Sequence, residues 1–349
     1  MVIPHVVLHD HLDGGLRPGT VLELADTIGL ELPRSDAASL GSWFDQRTSG
    51  SLEGYLAAFR YTVGVMQDAD SIRRVAVEAV EDLAADGAVH IESRFAPLLH
   101  TAGGLAAEGV MEAVLDGFAS AGAAAGVSWG VIVDAIRSHA DSATAADLAI
   151  RYRDAGVVAF DLSGPEAGYP PDAHLPAIRR IREYGLALTL HAGEAAGLHS
   201  LALAVNRCGA DRIGHGIEVA DDIRTGPDGQ RTLGAVASVV RDRRIPLEVC
   251  PMSNLATKGW TEQQHPLPEL VRDGFTVTLN TDNRLMSATT MSREHNFALS
   301  RGLDIDDLAR MGRQSLAAAF CPEPTRRLLW EGRIGPGLAA EGATVNLRW

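Results

Sequence analysis

Residues 157–192 have the sequence VVAFDLSGPEAGYPPDAHLPAIRRIREYGLALTLHA, and this stretch contains the unit from which the fold is built. It begins and ends with short, almost continuously apolar runs, Val157–Gly164 and Leu186–Ala192, which are typical of parallel strands covered on both faces. Between them, Asp172–Tyr184 has a helical pattern. A strand, a helix and a second strand in this order predict one βαβ unit of a parallel sheet.

The same alternation of strand and helix extends in both directions along the chain. Helical patterns such as Asp70–Asp86 and Leu105–Ala125 separate the apolar runs. The predicted strands are Val6–His11, Val89–Phe95, Trp129–Ala135, Val157–Gly164, Leu186–Ala192, Arg212–Val219, Leu247–Pro251 and Thr276–Asp282. Eight such units favour a closed (β/α)8 TIM barrel over an open sheet. We therefore expect a single α/β domain that covers residues 1–349.

Two intervals depart from a regular barrel. The interval from Asp13 to Ala88 is far too long for one crossover connection, so extra helices must be inserted after the first strand. The stretch Asp221–Thr232 contains Gly-Pro-Asp-Gly and is predicted to be a surface turn.

Composition and charge narrow the possible partners. The chain has 349 residues, 46% of them hydrophobic and 22% charged, and its formal net charge is −14. An acidic chain binds polyanions poorly, so no nucleic-acid partner is expected. No apolar run approaches the ~20 residues of a membrane span and no secretion signal is evident, so we expect a cytoplasmic protein with no membrane partner. Cys208, Cys250 and Cys321 are expected to be reduced thiols.

Polar side chains cluster at the ends of the predicted strands, where (β/α)8 barrels carry their catalytic groups. Burying such groups is costly unless they bind something. The residues concerned are His9, His11, Glu92, Arg94, Asp134, Asp161, Gly164, His191, Glu194, His215, Ser253, Asn254 and Asp282. The sequence thus predicts a functional site at the carboxyl ends of the strands.

Four of these residues have the chemistry of a metal site. In a strand, residues i and i+2 point to the same side, so His9 and His11 can bind one ion together. His191 ends the fifth predicted strand and Asp282 the eighth. Taken singly, His191 could be a hydrogen-bonded histidine and Asp282 a helix cap. Three imidazoles and one carboxylate together suit Zn²⁺, and they predict one zinc ion per chain.

Two further polar residues lie beside these candidate ligands. Glu194 follows His191 in the segment His-Ala-Gly-Glu, where a carboxyl group could exchange protons with a metal-bound water. Alternatively, Glu194 could lie in the first turn of a following helix, where its negative charge interacts favourably with the helix dipole. His215 lies between Gly214 and Gly216, where backbone can approach a ligand closely. Taken alone, however, this histidine is better explained as a structural one bonded to a backbone carbonyl.

These segments together resemble the adenosine deaminase family, and in particular its bacterial members. The matching segments occur in the family's order and span residues 8–282. They are LHDHLDG at 8–14, LHAGE at 190–194, RIGHG at 212–216, LEVCPMSN at 247–254 and LNTD at 279–282, with weaker matches ESRFAP at 92–97 and DLSGPE at 161–166. The resemblance implies the metal-dependent barrel of amidohydrolase type and a zinc-dependent hydrolase.

The resemblance also implies which residues do the chemistry. The zinc ligands would be His9, His11, His191 and Asp282. Glu194 would protonate purine N1, while His215 and Asp282 would hold a zinc-activated hydroxide against the purine ring. The reaction implied is the hydrolytic deamination of adenosine and 2′-deoxyadenosine to inosine and 2′-deoxyinosine, with release of ammonia. The expected partner is therefore a small purine nucleoside, while nothing in the sequence indicates an oligomeric state.

Substrate contacts are implied in the same way. His11 would contact the substrate, Asp13 its ribose 5′ side, and the backbone N–H of Gly164 purine N3. Leu52–Phe59 is similar to the family's gating helix, although its apolar stripe alone is equally typical of core packing. One position departs from the family: many members carry Asp directly after the ligand Asp, where it meets purine N7, and here Asn283 takes that place. An asparagine can donate to N7 through its NH₂ group without taking up a proton.

Three other functions share parts of this pattern. Within the family, the substrate could be adenine or an aminodeoxyfutalosine-like nucleoside. A two-metal barrel hydrolase of the dihydroorotase or phosphotriesterase kind typically uses a modified lysine at the fourth strand. The one lysine of this chain, Lys258, lies beyond the seventh predicted strand, which argues against this class of enzyme. A non-catalytic zinc-binding protein would need metal ligands but no acid or base beside them. The presence of all three kinds of group in this sequence argues against that function.

Overall fold

The computed structural model describes residues 2–346 and 349 and contains a barrel of eight parallel strands. The barrel strands are β1 (His5–His11), β2 (Ala88–Phe95), β3 (Ser128–Ile136), β4 (Val157–Ser163), β5 (Ala187–Ala192), β6 (Arg212–His215), β9 (Leu247–Val249) and β10 (Val277–Leu279). They neighbour one another in this order. The remaining two strands, β7 (Ile223–Thr225) and β8 (Arg231–Leu233), form an antiparallel hairpin outside the barrel.

Hydrogen bonds between the first and last strands close the barrel. Just beyond β10, the backbone N–H of Asp282 donates to the His9 carbonyl at 2.9 Å, and the N–H of His11 donates to the Asp282 carbonyl at 3.2 Å. The side chain of Asn280 adds a further link, because its Oδ1 accepts from the N–H groups of Leu8 and His9 at 2.8 and 3.1 Å. The predicted (β/α)8 barrel is therefore confirmed.

Helices surround the barrel and fill the long first connection. They are α1 (Pro18–Ile28), α2 (Ala37–Phe44), α3 (Leu52–Leu56), α4 (Phe59–Gly64), α5 (Ala69–Ala85), α6 (Ala107–Ala125), α7 (Ser142–Arg151), α8 (Leu175–Glu183), α9 (Gly197–Leu203), α10 (Ala235–Asp242), α11 (Pro251–Lys258), α12 (Leu267–Arg272), α13 (Met291–Ser300), α14 (Ile305–Ala318), α15 (Glu323–Leu329) and α16 (Gly335–Ala340). The first five lie between β1 and β2, as the length of that interval predicts.

Helix α5 shows how the sequence defines these elements. Its N-cap is Asp68, whose side chain accepts from the backbone N–H of Ser71 at 2.9 Å and so satisfies one of the free donors of the first turn. One face of the helix is apolar and buried, and it consists of Ile72, Val75, Ala76, Ala79, Val80 and Leu83. Spacing of three and four residues places these side chains on the side that packs against the barrel and α6.

Three predicted strands end two or more residues earlier than expected, each for a local reason. β6 ends at His215 and not at Val219, because His215 and Gly216 adopt left-handed backbone angles, φ 60° and 68°. β9 ends at Val249, since Pro251 begins α11. β10 covers only Val277–Leu279, and the chain beyond it turns at Asp282, with φ 56°.

The predicted surface turn at Asp221–Thr232 contains the β7–β8 hairpin. Among residues 2–346, no helix combines the length and the apolar character needed to cross a bilayer.

Candidate active site

A cavity of about 220 Å³ lies at the carboxyl ends of the barrel strands. Among its lining residues are nine site residues that the sequence singled out: His11, Asp13, Asp134, Gly164, His191, Glu194, His215, Asp282 and Asn283. Strands on opposite sides of the barrel contribute them, so the fold brings together groups that are up to 272 residues apart in the chain. His9 lies just behind this lining and is fully buried.

Three imidazoles converge on one carboxylate at the inner wall of the cavity. The Nε2 atoms of His9 and His11 each lie 3.4 Å from Asp282 Oδ1, and His11 Nε2 lies 3.3 Å from His191 Nε2. The four ligand atoms all lie within 4.8 Å of one another. These four residues could hold one metal ion, as the sequence predicted.

Two atoms of this cluster have unused bonding capacity. His9 Nε2 and Asp282 Oδ1 are buried and have no hydrogen-bond partner among the described residues. Because buried polar atoms are normally paired, two such unpaired atoms facing each other indicate a position where a ligand binds. A cation would satisfy both, and three nitrogens with one oxygen fit zinc.

The other ring nitrogen of each histidine faces a carboxylate. His9 Nδ1 lies 2.8 Å from Glu248 Oε2, and His191 Nδ1 lies 2.9 Å from Asp161 Oδ2. His11 Nδ1 lies farther, 3.7 Å, from Asp134 Oδ2. A carboxylate behind a histidine fixes the ring and leaves its Nε2 free for a metal. These partners therefore orient the cluster.

Two buried arginines hold these carboxylates in place. Arg94 contacts both Asp161 and Glu248, and Arg212 donates from Nε to Glu248 and from Nη1 to Glu92, each at 2.6 Å. Although burial acts in the opposite direction, the charges of Arg94 and Arg212 hold the pKa of Glu248 well below its ordinary value. The ring partners of His9 and His191 are thus anions.

Glu92 and Arg94 lie deeper than the cavity lining. Glu92 is in the middle of β2 and Arg94 is its penultimate residue, and both are fully buried inside the barrel, beneath the metal cluster. Glu248 was not singled out from the sequence at all. The available signal was a charged residue in the middle of the short apolar strand Leu247–Val249, which is costly to bury without partners.

His215 and Asp282 are held in left-handed backbone conformations that are uncommon for residues other than glycine. Two polar residues at the start of α11 fix their side chains. Ser253 Oγ donates to Asp282 Oδ2 at 2.5 Å, and Asn254 Nδ2 donates to His215 Nδ1 at 3.0 Å. Burial, and next the His9 ring, lower the pKa of His215 well below its ordinary value. A neutral His215 that accepts at Nδ1 must carry its proton on Nε2.

Glu194 directs its carboxyl group into the cavity beside His215. Its Oε2 lies 3.5 Å from His215 Nε2, and only 4% of the residue is exposed. Burial, followed by the negative charges of Asp282 and Glu166, raises the pKa of Glu194 well above its ordinary value. A carboxyl group whose pKa is raised in this way holds its proton more readily and is suited to act as a general acid.

The residues expected to contact substrate surround the rest of the cavity. Asp13 is buried in the turn after β1, and burial raises its pKa to about 7. Gly164, just beyond β4, has φ 88°, which glycine adopts without strain. Asn283 packs against Gly14, where a Cβ would lie 2.0 Å from Asn283 Oδ1. Glycine at position 14 is therefore required for the amide of Asn283 to reach the cavity.

The stretch Leu52–Phe59 covers the cavity, but as two short helices and not as one. α3 ends at Leu56 and α4 begins at Phe59. Both segments line the cavity, and Tyr55 is the most firmly held, with 1% exposure and its hydroxyl 2.6 Å from Ser287 Oγ. Leu56 and Phe59 are half-buried. The apolar stripe thus serves both as core and as cavity wall.

Comparison with known proteins agrees with this site. The chain matches the adenosine deaminase family model over residues 4–334. It is 50% identical to the adenosine deaminase of Mycobacteroides abscessus, covering 96% of this chain and 95% of the relative. It is 48% identical to adenosine deaminase 1 of Streptomyces coelicolor, covering 96% of this chain and 87% of the relative.

Solved structures show the same fold. An adenine deaminase from Arthrobacter aurescens superposes with a TM-score of 0.85 at 24% identity, covering 97% of this chain and 99% of that chain. An N6-mAMP deaminase from Arabidopsis gives 0.79 at 25% identity, covering 94% and 96%. With half of all residues shared with a bacterial relative over almost the whole length, this chain belongs to the adenosine deaminase family.

Proposed function

We propose that this chain hydrolyses adenosine and 2′-deoxyadenosine to inosine and 2′-deoxyinosine, with release of ammonia. The observation that carries the proposal is the carboxyl group of Glu194, which shares one cavity with a cluster of three histidines and an aspartate. An acid and a metal-type cluster facing the same space fit a reaction in which one side of a purine is protonated and the other receives water.

We propose zinc as the metal, with one ion per chain bound by His9, His11, His191 and Asp282. Zinc bound at such a site supplies Lewis acidity, which lowers the pKa of a water molecule toward about 7. Lys258, the one lysine of the chain, pairs with Glu218 at 2.6 Å and does not line the cavity. This placement supports a single-metal site over the two-metal alternative.

The protein's own groups account for the proton transfers. Glu194 donates its proton to purine N1, which makes C6 electrophilic, and water adds to C6 to give a tetrahedral carbon. His215, with its proton on Nε2, donates a hydrogen bond to the oxygen that develops at C6. Asp282, held through its second oxygen by Ser253, orients the attacking water. Of the two protons of the added water, one passes to the 6-amino group and the other returns to the Glu194 carboxylate. The C6–N bond then breaks, ammonia leaves, and the planar ring of the inosine product is formed with its proton on N1.

The charges around the cavity favour a nucleoside over a nucleotide. Its ionisable acidic residues are Asp13, Asp134, Glu194 and Asp282, and no lysine or arginine within residues 2–346 lines it. A 5′-phosphate near Asp13 would be buried beside a carboxyl group, with no lysine or arginine in the described lining to compensate its charge. For the same reason, we infer that this chain differs in substrate from the Arabidopsis protein named as an N6-mAMP deaminase.

Ammonia release from a purine panel tests this proposal. Burying a phosphate charge without a cationic partner costs several kcal/mol, so kcat/KM for adenosine and 2′-deoxyadenosine should exceed that for AMP by at least about 100-fold. Adenine, which lacks the ribose that Asp13 would contact, should also be a poor substrate. Equal turnover of adenosine and AMP would overturn the nucleoside assignment, and a preference for adenine would support the alternative substrate.

We further propose that Asn283 donates to purine N7. Asn283 lines the cavity directly after Asp282, and its NH₂ group can donate to an acceptor such as N7 without taking up a proton. 7-Deazaadenosine, with C–H in place of N7, should lose about 5- to 150-fold in kcat/KM, because an unpaired buried donor costs about 1–3 kcal/mol.

The control separates this contact from the altered reactivity of the deaza ring. Both substrates are assayed with the wild type and with Asn283→Ala, and the variant should discriminate between them much less. Discrimination as strong in Asn283→Ala as in the wild type would remove Asn283 from N7 recognition.

Three properties stay predictions from the sequence. The segment Leu52–Phe59 forms one wall of the cavity, and we propose that it opens and closes over the substrate. The cytoplasmic location and the single domain over residues 1–349 likewise remain proposals.

A further inference from the structure

The segment that carries Glu194 has no regular structure of its own. It runs from Gly193 to Ala196, between the end of β5 and the start of α9. The chain bends sharply at Gly193, with φ 70°, and a Cβ there would lie 2.6 Å from the side chain of Leu201. Neither a helix nor a strand therefore satisfies the backbone N–H groups of this segment, so they need other acceptors.

One carboxylate accepts all four of these N–H groups. Glu166 Oε1 accepts from Gly193 at 2.7 Å, and its Oε2 accepts from Glu194 at 3.0 Å, Ala195 at 2.6 Å and Ala196 at 3.2 Å. Hydrogen bonds to an ionised acceptor are roughly twice as strong as neutral ones. Four such bonds to one side chain make Glu166 the main anchor of the segment.

Glu166 itself lies outside the reacting space. It belongs to the connection between β4 and α8, is 3% exposed, and does not line the cavity. It thus ties the segment after β5 to the connection after the neighbouring strand β4 and cannot touch the purine. Its influence on the reaction therefore passes through the backbone that it holds and through its charge, which after burial and the charge of Asp282 raises the pKa of Glu194. Glu166→Asp keeps this charge and changes only the backbone contacts.

The position of the Glu194 carboxyl depends on that backbone. The N–H of Glu194 is one of the four donors, and its two chain neighbours supply two more. A displacement of about 1 Å in a reacting group can cost about 100-fold in rate. Loosening this anchor should therefore affect turnover more than substrate binding.

We propose that Glu166 is a positioning residue for the reaction, which holds the catalytic acid Glu194 in place through four backbone hydrogen bonds. The inference rests on the proposed role of Glu194 as the acid. It makes Glu166 a residue whose effect on turnover exists only while Glu194 can deliver a proton.

Glu166→Gln tests this proposal. Glutamine keeps the size of the side chain but replaces one acceptor oxygen by an NH₂ group, which cannot accept from the N–H groups facing it. We expect kcat to fall about 10- to 100-fold while KM changes less than about threefold. Metal content should stay at the wild-type level, because Glu166 contacts none of the four candidate ligands' side chains.

A matched control is available in Glu218, a second buried carboxylate that accepts a backbone N–H of the same loop. Glu218 accepts from the N–H of Gly197 at 2.6 Å, one residue beyond the anchored segment. Glu218→Gln removes the same charge from a buried loop contact, and with it the ion pair to Lys258, but leaves the bonds from Glu166 to residues 193–196 intact. Its kcat should stay within about threefold of the wild type, since only the anchor of Glu194 is expected to matter.

A double-mutant cycle separates positioning from general stabilisation. In a Glu194→Gln background, adding Glu166→Gln should lower kcat by less than about twofold, because the proton that Glu166 positions is already gone. An additive loss of the full 10- to 100-fold would overturn the proposal. If Glu194→Gln alone keeps near-wild-type kcat, the proposed function of Glu194 fails instead.

Should Glu166→Gln not fold, Glu166→Asp replaces it in the same cycle. Aspartate keeps the charge but sets its oxygens back by one methylene group. We expect Glu166→Asp to lose kcat to an intermediate degree, and we expect this loss to disappear in the Glu194→Gln background. A folded Glu166→Asp enzyme that keeps wild-type kcat although the anchor bonds are broken would contradict the proposal.

Discussion

Replacing Glu194 by glutamine should lower kcat by about 10²- to 10⁴-fold, the usual contribution of a general acid. Glutamine has nearly the same shape and can still face His215, but its amide has no proton to give to purine N1. KM should change little, because an amide can still hydrogen-bond the ring. Steady-state deamination of adenosine by the purified variant measures both quantities.

Glu294 provides the matched control for this experiment. It is fully buried, burial raises its pKa to about 8, and its carboxyl contacts Thr289 Oγ1 and the N–H of Met252. It does not line the cavity. Glu294→Gln should therefore keep kcat within about threefold of the wild type. Loss of turnover in both variants to the same degree would attribute the effect to disturbed packing and not to the acid.

Removal of the metal is the second change with a large expected effect. Without a cation, His9 Nε2 and Asp282 Oδ1 remain buried and unpaired, and the proposed nucleophile loses its activation. Chelated protein should lose essentially all deaminase activity. It should also melt at a lower temperature, because a ligand at 1,000 times its Kd stabilises a protein by about 4 kcal/mol.

Unfolding followed by circular dichroism, with and without chelator, measures the stability effect. Returning zinc should restore both the melting temperature and turnover. Chelated protein that retains full activity would show that the cluster is not part of the catalytic machinery, whatever its effect on stability.

The sequence predicted the barrel and the metal cluster because both depend on local patterns. The strand Val6–His11 already places two imidazoles on one side, and His191 and Asp282 follow at the ends of two other apolar runs. In a parallel barrel all such ends meet at one face. The existence of each strand was therefore enough to bring these side chains together.

The supporting contacts were beyond the reach of the sequence because they join distant residues whose register was unknown. Arg94 and Glu248 are 154 positions apart, and their contact depends on the level at which each strand crosses the barrel. Glu166 belongs to a segment that matched the family, yet its four backbone hydrogen bonds follow from the loop's path and not from its composition. Likewise, the early end of β6 required the left-handed angle at His215.

Zinc titration of the chelated protein, followed by inosine formation from adenosine, tests the central claim most directly. One cluster of four ligands predicts that activity rises linearly and reaches its maximum at one zinc ion per chain. Glu194→Gln, which leaves the ligands intact, should bind the same single equivalent without gaining activity. A maximum at two ions per chain, or deamination of adenosine by metal-free protein, would contradict this account.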